Sequence, residues 1–288
     1  MSTPSQRAVS IGLAQITGAP YAARENRELT VAATRELFDR GAGLVVLPEL
    51  IVPGYVADRG QLMPIAEPLD GPTIAAWREL AGDRGGCVVG GFCERAGDDI
   101  YNSVAAVTGD GVVLHYRKLH PFREEKKAFR PGDLGLPVAE TEFGTLGICV
   151  CYDLRFVEVV RALALSGAET ICVPTAWVPG FDRQRWDSDG YCPQARGALV
   201  QSNLSQVFIA CASQAGRTNG LEFLGSSVLC DPYGKAAIGP LPGDRDELAV
   251  ATVDLDAVRT AHTREPLVNP RADRRTDVYS VKLGDRTL

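Results

Sequence analysis

Residues 145–166 read Thr-Leu-Gly-Ile-Cys-Val-Cys-Tyr-Asp-Leu-Arg-Phe-Val-Glu-Val-Val-Arg-Ala-Leu-Ala-Leu-Ser. The stretch 145–151 is an apolar run of the length and character of a buried strand. From 155 to 166, Phe156, Val159, Val160 and Leu163 recur at helical spacing, and a second apolar run follows at 169–174. That pattern predicts a strand–helix–strand unit, with Asp153 placed to cap the helix.

The same alternation extends in both directions. Strands are expected over 8–16, 43–48 and 87–92. A helix is expected over 26–40, where Leu29, Ala33 and Leu37 share a face. Another spans 72–83, with Pro72 near its first position and Ile74, Trp77 and Ala81 on one side. Such units build a parallel sheet covered on both faces. Gly109-Asp110-Gly111 between the runs 101–108 and 112–119 is a hairpin signal, so the sheet should be mixed. A helix over 193–204 and strands over 206–213, 226–231 and 248–254 complete the pattern. The sequence carries no internal repeat and no low-complexity linker. One domain over 1–265 is therefore expected, followed by a polar tail over 266–288 that either reaches a neighbouring subunit or stays loose.

Composition narrows the class. The 288 residues carry 30 Lys and Arg against 36 Asp and Glu, a formal charge of −6 that argues against a nucleic-acid partner. No apolar run approaches the roughly 18 residues of a membrane helix, and Met1 to Gln6 is polar, so an unprocessed cytoplasmic protein without membrane partners is expected. Of eight cysteines, Cys87, Cys149, Cys172, Cys211 and Cys230 sit inside apolar runs and read as small buried hydrophobes. Reduced thiols are expected throughout. The only close pair, Cys149 and Cys151, has no second pair and no nearby His, which argues against zinc. Gly41-Ala42-Gly43 lacks the third glycine of a dinucleotide site and no P-loop occurs, so no nucleotide cofactor is expected.

In α/β sheets, reactive groups gather beyond the carboxyl ends of strands. Three polar residues end apolar runs abruptly: Glu49, Lys118 and Cys151. Singly, each reads as a loop carboxylate, a strand-end lysine and a core cysteine. Together they make a nucleophilic set, in which the ammonium favours a thiolate and the carboxylate moves its proton. A Cys-His pair is disfavoured, because only His262 of three histidines lies downstream of Cys151. His115 and His120 flank Lys118 and are expected to make local hydrogen bonds. Cys149 reads as core.

Five ordered blocks then resemble the carbon-nitrogen hydrolases, or nitrilase superfamily, over nearly the whole chain. They are Leu47-Pro48-Glu49 with Gly54-Tyr55; Tyr116 to His120; Glu125 to Asp133; Gly147 to Phe156; and Phe223 to Gly234. The resemblance implies a four-layer αββα sandwich with two mixed β-sheets and a Glu-Lys-Cys triad at Glu49, Lys118 and Cys151. It also implies a second glutamate at Glu125, an oxyanion donor at the backbone N–H of Tyr152, no metal or organic cofactor, and a homodimer or larger assembly. Cys151-Tyr152-Asp153 is similar to the amidase-type branches, so the expected partner is a small-molecule amide. Leu154 stands where hydrolases of N-carbamoyl amino acids often have the first of two arginines, leaving Arg155. Val157 and the segment 200–205 depart from the family pattern. N-carbamoyl compounds, then nitriles, then thioester-based acyl transfer, then a non-catalytic scaffold are the alternative readings. Tyr55 and Trp177 are candidate substrate contacts, and Trp186, Asp187 and Asp189 a candidate cover for the site.

Overall fold

The structure is a computed structural model that describes residues 7–218 and 220–288. The polar start at 1–6 lies outside the described residues. In chain order the elements are β1 (Ala8–Gln15), α1 (Ala23–Asp39), β2 (Leu44–Val46), α2 (Arg59–Leu62), α3 (Pro72–Arg84), β3 (Cys87–Ala96), β4 (Asp99–Thr108), β5 (Gly111–Arg117) and α4 (Glu125–Ala128). There follow β6 (Val138–Thr141), β7 (Gly144–Ile148), a 3₁₀ turn (Cys151–Arg155), α5 (Val157–Leu165), β8 (Thr170–Thr175), α6 (Pro193–Ser205) and β9 (Phe208–Ser213). The chain ends with β10 (Ala215–Thr218), β11 (Leu221–Leu224), β12 (Val228–Cys230), β13 (Ala236–Ile238), β14 (Glu247–Asp254), α7 (Asp256–Ala261), β15 (Lys282–Leu283) and β16 (Arg286–Thr287).

Two six-stranded sheets result, ordered β14-β1-β2-β3-β4-β5 and β13-β12-β9-β8-β7-β6. Each has a parallel centre, β1-β2-β3 and β7-β8-β9, with antiparallel strands at its edges. Alternation decides which side chains meet. Val46, Val89, Val104 and Ala106 of the first sheet join Ile148, Cys172 and Cys211 of the second in one continuous core. The odd-facing Val45, Val88 and Ala105 pack instead under α1 and α3, with Leu37 and Trp77. Trp77 Nε1 donates to Thr30 Oγ1 at 2.9 Å, tying those two helices together. α5 and α6 cover the outer face of the second sheet.

This is the four-layer αββα sandwich. Local pattern alone had pointed to a single sheet with helices on both faces. Each sheet here has helices on one face and the other sheet on its second face, a surface just as dry, so the strand sequences look alike in both arrangements. The tail after α7 returns to its own chain: Arg271 donates to the carbonyls of Ala164 at 3.0 Å and Ser205 at 2.9 Å, and Val281, Leu283 and Leu288 pack against the larger hydrophobic cluster, which includes α5 and α6 side chains. All eight cysteines are free and buried. Among the described residues no helix is long and apolar enough to cross a membrane.

Candidate active site

The two sheets end their central strands at one place, and that is where the polar residues collect. β2 stops at Val46, but its backbone continues to pair, with Leu47 N–H on Val89 O at 2.8 Å and Gly91 N–H on Pro48 O at 3.2 Å. A side chain at Gly91 would meet Leu50 N at 2.6 Å and Pro48 O at 2.7 Å, so glycine is required for this approach. Glu49 is thereby delivered to the seam between the sheets. Its N–H bonds Thr175 O at 3.3 Å and its carbonyl accepts from Gln214 Nε2 at 3.0 Å, both groups belonging to the second half of the chain.

Lys118 follows β5, which ends two residues earlier than the run 112–119 suggests. Its N–H bonds Asn102 O at 2.9 Å and its carbonyl accepts from Gly132 at 2.8 Å. The ammonium bridges two carboxylates, reaching Glu49 Oε1 at 2.6 Å and Glu125 Oε2 and Oε1 at 2.8 and 3.0 Å. Asn102 Nδ2 donates to Glu49 Oε1 at 2.8 Å, and Tyr55 OH and Phe122 N–H donate to Glu125 at 2.6 and 3.1 Å. Glu49, Lys118 and Glu125 are all at most 2 % exposed. Glu49 Oε2 is buried and has no hydrogen-bond partner among the described residues.

β7 ends at Ile148, so Cys151 is not the last residue of a strand but the first of the 3₁₀ turn, held at φ +45° in the left-handed region. A non-glycine residue there is strained, and such strain persists only where surrounding contacts enforce it. Asp153 supplies them. Instead of capping α5, which starts at Val157 without a side-chain cap, it accepts from Val150 N–H at 3.0 Å, Tyr116 OH at 2.7 Å, His120 N–H at 3.0 Å and His120 Nδ1 at 2.7 Å. The helix-cap expectation is thus corrected: the tight turn stands between Asp153 and the helix. His120 stacks on Phe156 at 3.7 Å.

Charge in this dry site follows from neighbours. Burial opposes the Lys118 charge, but Glu125 and Glu49 outweigh it and hold the ammonium above its ordinary value. Burial lifts the Glu49 carboxyl, Lys118 only partly countering it. The Cys151 thiol is held well above its usual range by burial and then by Glu49, while Lys118 and the Ala176 N–H pull the other way. The expectation that Lys118 favours the thiolate is right in direction and insufficient in size, since burial and then two carboxylates stand against one ammonium.

Cys151 opens on a narrow pocket of about 20 Å³, room for about one water-sized group. Its walls include Phe122, Tyr152, Trp177, Val178, Phe181 and Gln194. Phe122 and Val178 also border a vestibule of about 710 Å³ that contains Tyr55, Glu125, Asp58, Glu124 and Glu222. The structure therefore brings together Glu49, Lys118, Cys151, Glu125, Tyr55, Tyr152 and Trp177. Trp186 and Asp189 do not line this pocket; they border another groove, and Asp187 pairs with Arg196. Sequence reasoning missed Asn102, Gln214, Asp153 in its real role and the Ala176 N–H. Asn102-Ser103 inside an apolar strand was the readable signal, since buried polar residues need partners.

Behind the site, on the helix-covered face of the first sheet, Glu94 accepts from Ser103 Oγ at 2.6 Å, His115 Nε2 at 2.8 Å and Arg117 Nε and NH2 at 2.9 and 2.6 Å. This clasp joins β3, β4 and β5 next to Asn102 and Lys118. Burial alone would raise the Glu94 carboxyl, but these bonds outweigh it and bring it down to about 2 from an ordinary 4.5. The clasp thus contributes fully above the ordinary value and is lost as pH falls toward the folded one, a difference of about 3 kcal/mol. Glu94→Gln is expected to lower the unfolding free energy by about 2–3 kcal/mol in urea titrations at neutral pH, with the gap from wild type narrowing on acidification.

Comparison with known proteins settles the family. The sequence profile described as Carbon-nitrogen hydrolase matches residues 10–263. The chain belongs to the carbon-nitrogen hydrolases. Among relatives of this hydrolase, a nitrilase of Pyrococcus abyssi is 35% identical, the match covering 85% of this chain and 89% of that one. An N-carbamoylputrescine amidase of Oryza sativa is 32% identical over 90% and 89%, and an (R)-stereoselective amidase of a Pseudomonas species 34% over 76% and 75%. In structure the hydrolase is similar to an amidase from Nesterenkonia sp. AN1 solved with acrylamide, with TM-score 0.75, 26% identity and 96% and 98% coverage. It is an amidase-type hydrolase of the nitrilase superfamily.

Proposed function

We propose that the hydrolase cleaves a small carboxamide through a thioester on Cys151, releasing ammonia and a carboxylate. The observation that carries this reading is the unpartnered Glu49 Oε2, buried beside a thiol that stays protonated at rest. Glu49 Oε2 takes the thiol proton as sulfur attacks the carbonyl carbon. The resulting oxyanion is held by the Lys118 ammonium and the Tyr152 N–H. The C–N bond then breaks as Glu49 returns the proton to the departing nitrogen. Water, deprotonated by Glu49, adds to the thioester, and the C–S bond breaks to restore the thiol. Glu125, fixed by Tyr55 and Phe122, keeps the Lys118 ammonium aimed between the carboxylates and the substrate oxygen. A solved Nesterenkonia amidase whose active-site cysteine had undergone Michael addition with acrylamide supports a cysteine nucleophile.

A second reading is hydrolysis of an N-carbamoyl amine. The rice relative favours it, as do the vestibule carboxylates Asp58, Glu124 and Glu222, which suit a cationic tail. Tyr55 then borders the substrate on the vestibule side.

The test is ammonia release from short aliphatic and aromatic monoamides, N-carbamoyl amines and matching nitriles, with Cys151→Ala alongside. Amide turnover that falls at least about 10⁴-fold in Cys151→Ala is the expected result. Turnover confined to carbamoyl amines would select the second reading. Turnover surviving in Cys151→Ala would overturn the thioester.

A further inference from the structure

Each buried polar atom left without a partner in a folded protein asks for a cause. Two such atoms belong to residues in the walls of the Cys151 pocket. One is Nε1 of Trp177, a donor on a side chain only 2 % exposed; the other is Oε1 of Gln194, an acceptor. Trp177 directly follows Ala176, whose N–H reaches the Cys151 sulfur, and Gln194 is the second residue of α6. The other walls are mainly aromatic or aliphatic, and the one cation, Arg155, lies over the Phe181 ring at 4.6 Å and pairs with Asp182 at 3.4 Å.

The position of this pocket fixes which end of a substrate it meets. Glu49, Lys118 and Glu125 do not line it, whereas Glu125 and Tyr55 line the vestibule. In the thioester mechanism the departing nitrogen must collect its proton from Glu49, which is not among this pocket's walls, so the pocket is assigned to the acyl substituent. A group that satisfies both orphaned atoms must accept one hydrogen bond and donate another, and at about 20 Å³ it must be small. A hydroxyl does both. An alkyl group of equal size would fill the space and leave both atoms unsatisfied.

We propose that Trp177 and Gln194 form an acyl-side subsite for 2-hydroxy amides, each side chain turning its unpartnered atom toward the substrate hydroxyl, which accepts from Trp177 Nε1 and donates to Gln194 Oε1. The inference rests on the thioester reading above and names its substrate class. It is tested with isosteric pairs, glycolamide against propionamide and lactamide against isobutyramide. The hydroxylated member is expected to have at least about 10-fold higher kcat/KM in wild type, and the preference to collapse toward unity in Gln194→Met and Trp177→Phe. A wild-type ratio of one or below, or a preference that survives both variants, overturns the subsite.

A second measurement separates this from failure of the amide reading. Alkylation of Cys151 by 1-chloro-3-hydroxyacetone and by 1-chloro-2-butanone, followed by mass spectrometry, needs no turnover. Intrinsic reactivity cancels in the wild-type-to-Gln194→Met ratio for each reagent. A larger ratio for the hydroxylated reagent supports the subsite even where every amide is inert; equal ratios reject it.

Discussion

Lys118→Met is expected to abolish measurable turnover and to destabilise the fold by about 3–5 kcal/mol, the usual cost of removing one member of a buried ion pair. Methionine fills much of the volume but leaves Glu49 and Glu125 facing each other in a site where each is at most 2 % exposed. The Glu49 carboxyl, already raised by burial, would then lose the ammonium that holds it down, so the sign of the pH effect is fixed. A carboxyl raised in the folded state destabilises at high pH and ceases to do so once protonated. The stability deficit of Lys118→Met should therefore be largest at and above neutral pH and shrink on mild acidification, whereas the Glu94→Gln deficit closes only as pH falls toward 2. Urea titrations at several pH values provide the check. A deficit independent of pH would mean that Lys118 matters for packing rather than charge.

Glu49→Gln separates two jobs of one carboxylate. As the proton carrier of the proposed mechanism Glu49 would be irreplaceable by an amide, and turnover should fall about 10²–10⁴-fold. As a charge it is a hindrance to ionisation, because Glu49 is, after burial, the largest influence raising the Cys151 thiol. Its removal leaves Lys118 opposed by Glu125 alone, so the thiol should titrate lower. The expected result is a variant slow with amides yet faster than wild type toward iodoacetamide, its alkylation profile displaced to lower pH. An alkylation rate that falls in step with turnover would show that Glu49 also carries the proton during alkylation and that the charge argument is too small to matter.

How far the sequence could be read depended on whether a feature was local. Strand and helix positions were legible because period and caps are local properties; β1, α3, β8 and β9 lie where their apolar runs lie. Glu49, Lys118 and Cys151 stood out as polar interruptions, and the ordered blocks around them raised three bland residues into a set. The arrangement of sheets was not local. Val46 and Val45 look alike in sequence, yet one meets the opposite sheet and the other meets α1 and α3. The expected strand over 145–151 failed at its end for a related reason: nothing in Cys-Val-Cys announces a left-handed residue, which is enforced by Asp153 through partners 33 and 37 positions away. The two-residue strands β15 and β16, and the pair β10 and β11, were missed because segments so short carry too few residues to show a period.

The Asp153 carboxylate joins the turn that presents the sulfur, which belongs to the second sheet, to Tyr116 on the last strand of the first. Glu49 and Lys118 come from one half of the chain and Cys151 from the other. On the proposed mechanism, a chain whose halves have not yet closed carries ordinary thiols and no catalyst. Reactivity would arise only on closure, so chemical competence would itself report that assembly is complete.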